Sequence, residues 1–450
     1  MRINKAWFHD FARSVWHTID FAAKFSPQVE PRTIAKYGEL IRKALSVQKE
    51  EHLTLLRHSA VNSLCAIGFF VTNNSICRGL FFDIFYRNKH SLKILDISAH
   101  LLSSKSHNER RQNSAHFFSI DLPVSGSNLT ELSLEALCLS RDNFSDILRC
   151  SPLLVDVIVC STLLYSYNPT TELVMHQRVK KLTASLQQVW VPDDLLPEWP
   201  SLLVHFPQLV TWIDPTRRLP DPTRRLPNTT WDLPNPTWSF PDPPVKMQDL
   251  RVEIACCCPR LVEIDFMYDK SDPKDIADLL VEAFTSLEYC GFYYALPNRK
   301  TFIGIMEHQE TLTRIVLLAP DSKALPSQLD PNPAAKNLVC LILRSCRSLQ
   351  VFSARDHQMD IATAEQHKWV CGDLKDLQVR FKGLETSMAV DDCLERLSVL
   401  RSCGSQGNLG EAGKSDGSIG QRVCRKLFPL RKLNTVWLGS KIYYLATPAH

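Results

Sequence analysis

Several groups of residues in this 450-residue chain are of types that could do chemistry, and each group dissolves when its spacing is checked. Gly413, Lys414 and Ser415 resemble the end of a phosphate-binding loop, which cradles phosphates on backbone N–H groups and a lysine. That loop needs a glycine five residues before Gly413, where Asn408 stands, and Gly407 is one residue too far. A strand should precede the loop, yet Leu394 to Leu400 has helical spacing. His90, His100, His107 and His116 lack the i, i+4 spacing that puts two imidazoles on one helix face for a metal. Asp193–Asp194 and Asp391–Asp392 pair carboxylates beside loop or helix-start positions, where the helix dipole explains them without catalysis. No G-x-S-x-G elbow occurs, so a serine triad has no anchor in the sequence. We expect no catalytic residue, no metal and no cofactor.

Fifteen cysteines are present, and none forms a C-x-x-C pair with zinc-type spacing. Cys256, Cys257 and Cys258 are adjacent, so their side chains point apart. Most cysteines sit inside apolar phrases, where a free thiol acts as a small hydrophobe. Reduced thiols fit the cytosol or nucleus.

The elements that would position any site follow one recurring phrase. Leu261, Ile264 and Phe266 are followed by Leu287, Cys290 and Phe292, then by Leu312, Ile315 and Leu317. The leading leucines lie 26 and 25 residues apart, inside the 20–29-residue period of leucine-rich repeats. Between phrases run apolar stripes at helical spacing: Ile276, Leu279, Leu280 and Ala283, then Phe302, Ile303, Ile305 and Met306. One helix–strand unit cannot cover its own apolar face, so such units must stack.

Further phrases begin at Leu92, Leu129, Leu186, Leu209, Leu349, Leu374 and Leu433. Leu153 leads into Val155, Val157 and Val159 one residue out of register. The fold expected is an α/β leucine-rich-repeat solenoid, with parallel strands on a concave side and helices on the convex side. Residues 51–213 form the first half of the array and 245–442 the second. Between them, 214–244 is a proline-rich insertion in which Asp214 to Pro220 is duplicated as Asp221 to Pro227. A glycine-rich loop spans 404–420, and 443–450 is a tail or cap. Residues 98–185 carry the least regular phrases, the one zone with room for an unrecognised catalytic domain.

Composition narrows the partners. A hydrophobic content of 44% with 22% charged residues fits an ordinary soluble protein. A net charge of +4 gives no reason to expect nucleic acid or an anionic membrane surface. No apolar run reaches the length of a membrane span, and the start of the chain lacks the apolar stretch of a secretory signal.

The first fifty residues differ from the remainder. Trp7, Phe8, Phe11, Val15, Trp16, Ile19 and Phe21 are dense apolar anchors ahead of a charged helical stretch from Pro31 to about Glu51. Asn4, Lys5 and Trp7, then Trp16, Ile19 and Asp20, resemble the second half of an F-box, so 1–50 reads as a partial F-box-like helical segment. The family's opening Leu-Pro has no counterpart here, and Asn4 stands where a cysteine is usual. The resemblance, with the repeats behind it, is to the F-box/leucine-rich-repeat family. It implies docking on a Skp-type adaptor of a cullin ubiquitin ligase through Trp7, Phe11, Val15 and Trp16. It also implies a protein client held on the concave face. Period-two alternation exposes on that face Ile94, Asp96, Glu131, Trp190, Glu263, Asp265, Tyr289, Arg314, Arg355, Asp376, Arg380 and Trp437. Eight of these, Trp190, Glu263, Asp265, Tyr289, Arg314, Arg355, Arg380 and Trp437, are the expected client contacts. The alternatives are a repeat scaffold without a ligase link and Trp7 and Trp16 as a plain cap on the first repeat.

Overall fold

An apolar residue followed three positions later by another, and two later by a third, becomes a loop anchor and two inward side chains of one short strand. The computed structural model describes residues 5–22, 30–71, 75–99, 126–135, 137–160, 162–165, 173–184, 202–213, 252, 254–266, 277, 280–293, 299–318, 333–384, 386–402, 418–438 and 441–445. They form an α/β protein with a large, mostly parallel sheet and helices. The chain divides into two compact units, Met1–Lys246 and Met247–His450.

In the first unit, β1 (Thr18–Asp20), β2 (Lys43–Val47), β3 (Ala66–Val71), β4 (Ile94–Ala99), β5 (Glu131–Glu135), β7 (Asp156–Cys160), β9 (Lys181–Ala184) and β10 (Thr211–Ile213) lie side by side in chain order. Two short strands, β6 (Cys138–Ser140) and β8 (Leu163–Tyr165), pair separately. Every pairing among the described strands of this unit is parallel, so each strand must be reached by a crossover. The crossovers carry α2 (Pro31–Tyr37), α3 (Glu50–Leu56), α4 (Ser75–Asn88) and α5 (Arg141–Cys150), while α1 (Lys5–Trp16) precedes β1. Right-handed crossovers between consecutive parallel strands keep the helices on one face. The core lies there: Phe69 of β3 stacks on Phe81 of α4 with centroids 4.4 Å apart. In register, Ile19, Ala44, Ile67, Leu95, Leu132, Val157, Leu182 and Trp212 make one buried row across the sheet.

The second unit repeats the plan with β11 (Glu263–Phe266), β12 (Tyr289–Tyr293), β13 (Arg314–Leu318), β14 (Val351–Met359), β15 (Asp376–Phe381), β16 (Thr435–Leu438) and β17 (Lys441–Tyr444). Its helices are α6 (Arg299–Glu307), α7 (Pro333–Ser345), α8 (Ile361–Glu365), α9 (Ser387–Ser402) and α10 (Ile419–Leu427). Ile264, Cys290, Ile315, Phe352, Leu377 and Val436 are opposite one another, one per strand, and all are buried. The leading Leu261, Leu287, Leu312, Leu349, Leu374 and Leu433 are buried as well. Sequential parallel strands, one phrase apiece, are compatible with a solenoid-like α/β fold.

Several expectations need correction. Residues 31–51 are not one helix: α2 ends at Tyr37, and β2 occupies Lys43–Val47. Ile41, Ala44 and Val47 are three apart, which reads as helical, but Ser46 at φ 56° puts a bulge in the strand and keeps all three inward. The strand β7 is in register, because its phrase is led by buried Leu154 rather than Leu153, and Val155 faces outward. The described strand of the next repeat is Lys181–Ala184, led by Val179, while the phrase at Leu186 falls outside the described residues. Ile303 is exposed and only Ile305 of the α6 stripe is fully buried. Asp391 and Asp392 lie in the second turn of α9, not at its start. The chain end includes β17, which pairs antiparallel with β16. The described residues of 98–185 continue the same parallel order through β5, β7 and β9. Residues 214–244, Trp190, the Gly413 loop and His100, His107 and His116 lie outside the described residues.

Candidate functional site

Facing away from the core in the second unit is a band of polar and aromatic side chains that alternates with the buried rows. Strand geometry fixes its layout. Glu263, Tyr289, Arg314, Val351, Asp376 and Thr435 form one row, and Asp265, Gly291, Val316, Ser353, Gln378 and Trp437 form the next. Five strand spacings of about 4.8 Å make each row about 24 Å long. Parallel neighbours in register bring unlike side chains together without any help from loops.

At one end of the band, the Tyr289 hydroxyl donates to the carboxylate of Asp265, and the Arg314 guanidinium lies over the Tyr289 ring, 4.7 Å from its centroid. Burial pushes the Asp265 carboxyl up to about 6; the tyrosine hydrogen bond and Arg314 oppose this, and Glu263 adds to it. Asp265 and Tyr289, expected to be exposed, are each only 8% exposed. Period-two alternation assigns a residue to a face, but here neighbours on that face cover one another.

At the other end, Gln378 holds three partners. Its Oε1 accepts from Arg355 Nε at 2.6 Å and from Ser353 Oγ at 3.2 Å, and its Nε2 donates to Asp376 Oδ2 at 2.8 Å. Arg355 in turn lies over the Trp437 ring at 5.0 Å. Burial raises the Asp376 carboxyl pKa, against the pull of the Gln378 hydrogen bond and of Arg355 and Arg314. Two arginines are thus each laid on an aromatic ring, an arrangement that favours the charge. Arg380 stands exposed on β15, opposite Gln358 beyond a register shift, and joins neither cluster. Gln378 and Ser353 are the members that sequence reasoning missed. Their signal was available, since they occupy the outward position between Leu377 and Val379 and between Phe352 and Ala354.

The first unit carries its own polar row: Ile94, Glu131, Asp156 and Lys181 are in register, with a 2.6 Å ion pair from Lys181 Nζ to Asp156 Oδ2, and Asp96 lies exposed in the next row.

Of the expected adaptor contacts, Phe11 and Val15 of α1 are 53% and 47% exposed, one turn apart on the same side. Trp16 instead stacks flat on Tyr37, with centroids 5.2 Å apart, and the Trp7 side chain is outside what is described.

The described cysteines do not form a reactive centre. Nine of them are buried, and burial pushes Cys346, Cys371 and Cys393 up to about 12, far from thiolate chemistry at neutral pH. No described helix is long and apolar enough to cross a membrane. No family model matches the chain, and no curated protein matches it.

Proposed function

We propose that the protein is a non-catalytic substrate receptor of the F-box/leucine-rich-repeat type, whose outward band binds a protein client while α1 docks a Skp-type adaptor of a cullin ubiquitin ligase. Its contribution would be proximity: other subunits transfer ubiquitin to whatever the band holds. One observation carries the reading. A leucine-led phrase supplies one parallel strand per repeat, in register from Ile264 to Val436, and the outward rows between carry Tyr289, Arg314 and Trp437, with Arg355 beside them, among polar and small residues. Those residue types dominate the energetic centres of protein interfaces. The exposed Phe11 and Val15 on α1 support the docking half.

A second reading, a repeat scaffold without a ligase link, has its own support. β1 and β2 lie within the F-box-like first fifty residues and pair in register, Ile19 with Ala44, so that segment also serves the sheet. Co-expression with a Skp-type adaptor separates the two. A receptor co-purifies with the adaptor, and Phe11→Ala with Val15→Ala weakens the complex without lowering the melting temperature. Failure of the intact chain to form a complex leaves the scaffold reading.

A further inference from the structure

We propose that the second unit's outward band selects an acidic client segment, with carboxylates seated on the donor edges of Arg355 and Arg314; this rests on the client-binding reading above. The geometry of Arg355 is the main ground. Its Nε is committed to Gln378 and its plane to Trp437, so the guanidinium is oriented before anything binds. Its two terminal nitrogens meet no acceptor among the described residues. A planar fork held in this way matches a carboxylate with two parallel hydrogen bonds, and its ordering entropy is already spent. Arg314 shares the ring contact, its guanidinium lying over Tyr289. Neither arginine, nor Arg380, forms an ion pair among the described residues.

Acids on the same face do not consume these cations. Asp376 feels Arg314 and Arg355, but its hydrogen-bond donor is Gln378. Asp265 is bonded to Tyr289 at the far end of the band, beside Glu263. At the β14–β15 end, the acid whose side chain is described is Asp376, so two arginines, Arg355 and Arg380, face one carboxylate there. Arg314 is opposite Val351, and Arg355 follows four residues on, where β14 becomes irregular, so their Cα atoms lie at most about 14 Å apart. An extended peptide covers that distance in about four residues, so the preferred segment carries acids at about that spacing.

The test is fluorescence anisotropy on the full chain with a labelled twenty-residue glycine–serine peptide bearing glutamates four apart. Matched peptides carry glutamine, lysine or phosphoserine at the same positions. The glutamate peptide should bind at least tenfold tighter than the glutamine peptide, and the lysine peptide should not bind. Arg355→Gln and Arg314→Gln should each remove most of that preference. Arg355→Lys, which keeps the charge and loses the fork, should lose about tenfold, and Gln378→Ala should act in the same direction. Equal binding of glutamate and glutamine peptides, wild-type preference in Arg355→Gln, or binding of the phosphoserine peptide alone would overturn the proposal. If the preference is absent but Trp437→Ala still reduces capture of proteins stabilised by proteasome inhibition, only the acidic selectivity falls. If Trp437→Ala has no effect either, the client-binding reading falls with it.

Discussion

Asp265 shows how a single side chain on the outward face can limit stability. Its unfolded carboxyl titrates near 3.8 and its folded one near 6, because burial disfavours the charge more than Tyr289 and Arg314 favour it. A folded value above the unfolded one means the contribution is complete below 3.8 and is lost as pH rises through 6. The change over that window is about 3 kcal/mol. Asp265→Asn keeps an acceptor for the Tyr289 hydroxyl and removes the titration. The urea midpoint of the wild type should therefore fall between pH 4.5 and 7 relative to that of Asp265→Asn; parallel profiles would refute this account. What made Asp265 and Tyr289 hard to read is visible here. Alternation in the sequence shows which way they point, whereas their burial depends on Arg314 arriving from a strand that follows 25 residues after β12. The contacts among Gln378, Ser353 and Arg355 likewise depend on which residues the register sets opposite each other.

At the scale of elements, hydrogen bonds reach from each repeat to the one before it. Asn88, at the end of α4, accepts from Leu64 N at 2.9 Å with Oδ1 and donates to Ile84 O at 2.9 Å with Nδ2, while fully buried. In the second unit, His308 Nε2 meets Leu280 O at 2.5 Å, and Thr311 Oγ1 donates to Leu287 O at 2.7 Å. Ser91 Oγ bonds Leu64 O at 2.9 Å, the equivalent contact in the first unit. Asn88→Leu fills similar space but strands the buried Leu64 N–H, whereas the Ile84 C=O keeps its intrahelical bond within α4. It should cost about 1–3 kcal/mol in urea denaturation, the desolvation of one buried unmet donor. Ser91→Ala, next to a half-buried group, should cost less than half as much, and equal losses would contradict this account. Most of these elements were legible because a leading leucine and an inward pair repeat at a near-constant interval. The phrase of Leu64, Ile67 and Phe69 was equally available yet unread, since it abuts an N-terminal segment read as helical. The Ile41, Ala44 and Val47 strand was hidden by its three-residue spacing, which only the positive φ of Ser46 converts to strand. Val179, Leu182 and Ala184 were obscured by small side chains beside a more conspicuous Leu186.

For the molecule as a whole, the two units titrate in opposite directions. In the first, burial lowers the pKa of His176 and His205, and burial leads the causes at both, against hydrogen bonds to the carbonyls of Ser151 and Val174. A folded value below the unfolded 6.5 means their contribution is complete above 6.5 and is lost as pH falls through the folded value. In the second, Asp265 and Asp376 are raised and favour folding as pH falls toward 4, while Glu365, lowered by its Arg422 hydrogen bond, works against them. Acidification from pH 7 to 5 should therefore loosen Met1–Lys246 before Met247–His450. Pulse-labelling hydrogen exchange at one fixed pH, after equilibration in urea at several pH values, reads the units separately. The midpoint for amides of β7 and β9 should move down on acidification, while that for amides of β12 and β15 stays or rises. His205→Gln and His176→Gln together should flatten the first response and leave the second untouched. If both units shift together in the wild type, either the buried imidazoles do not set the acid limit or the units unfold as one.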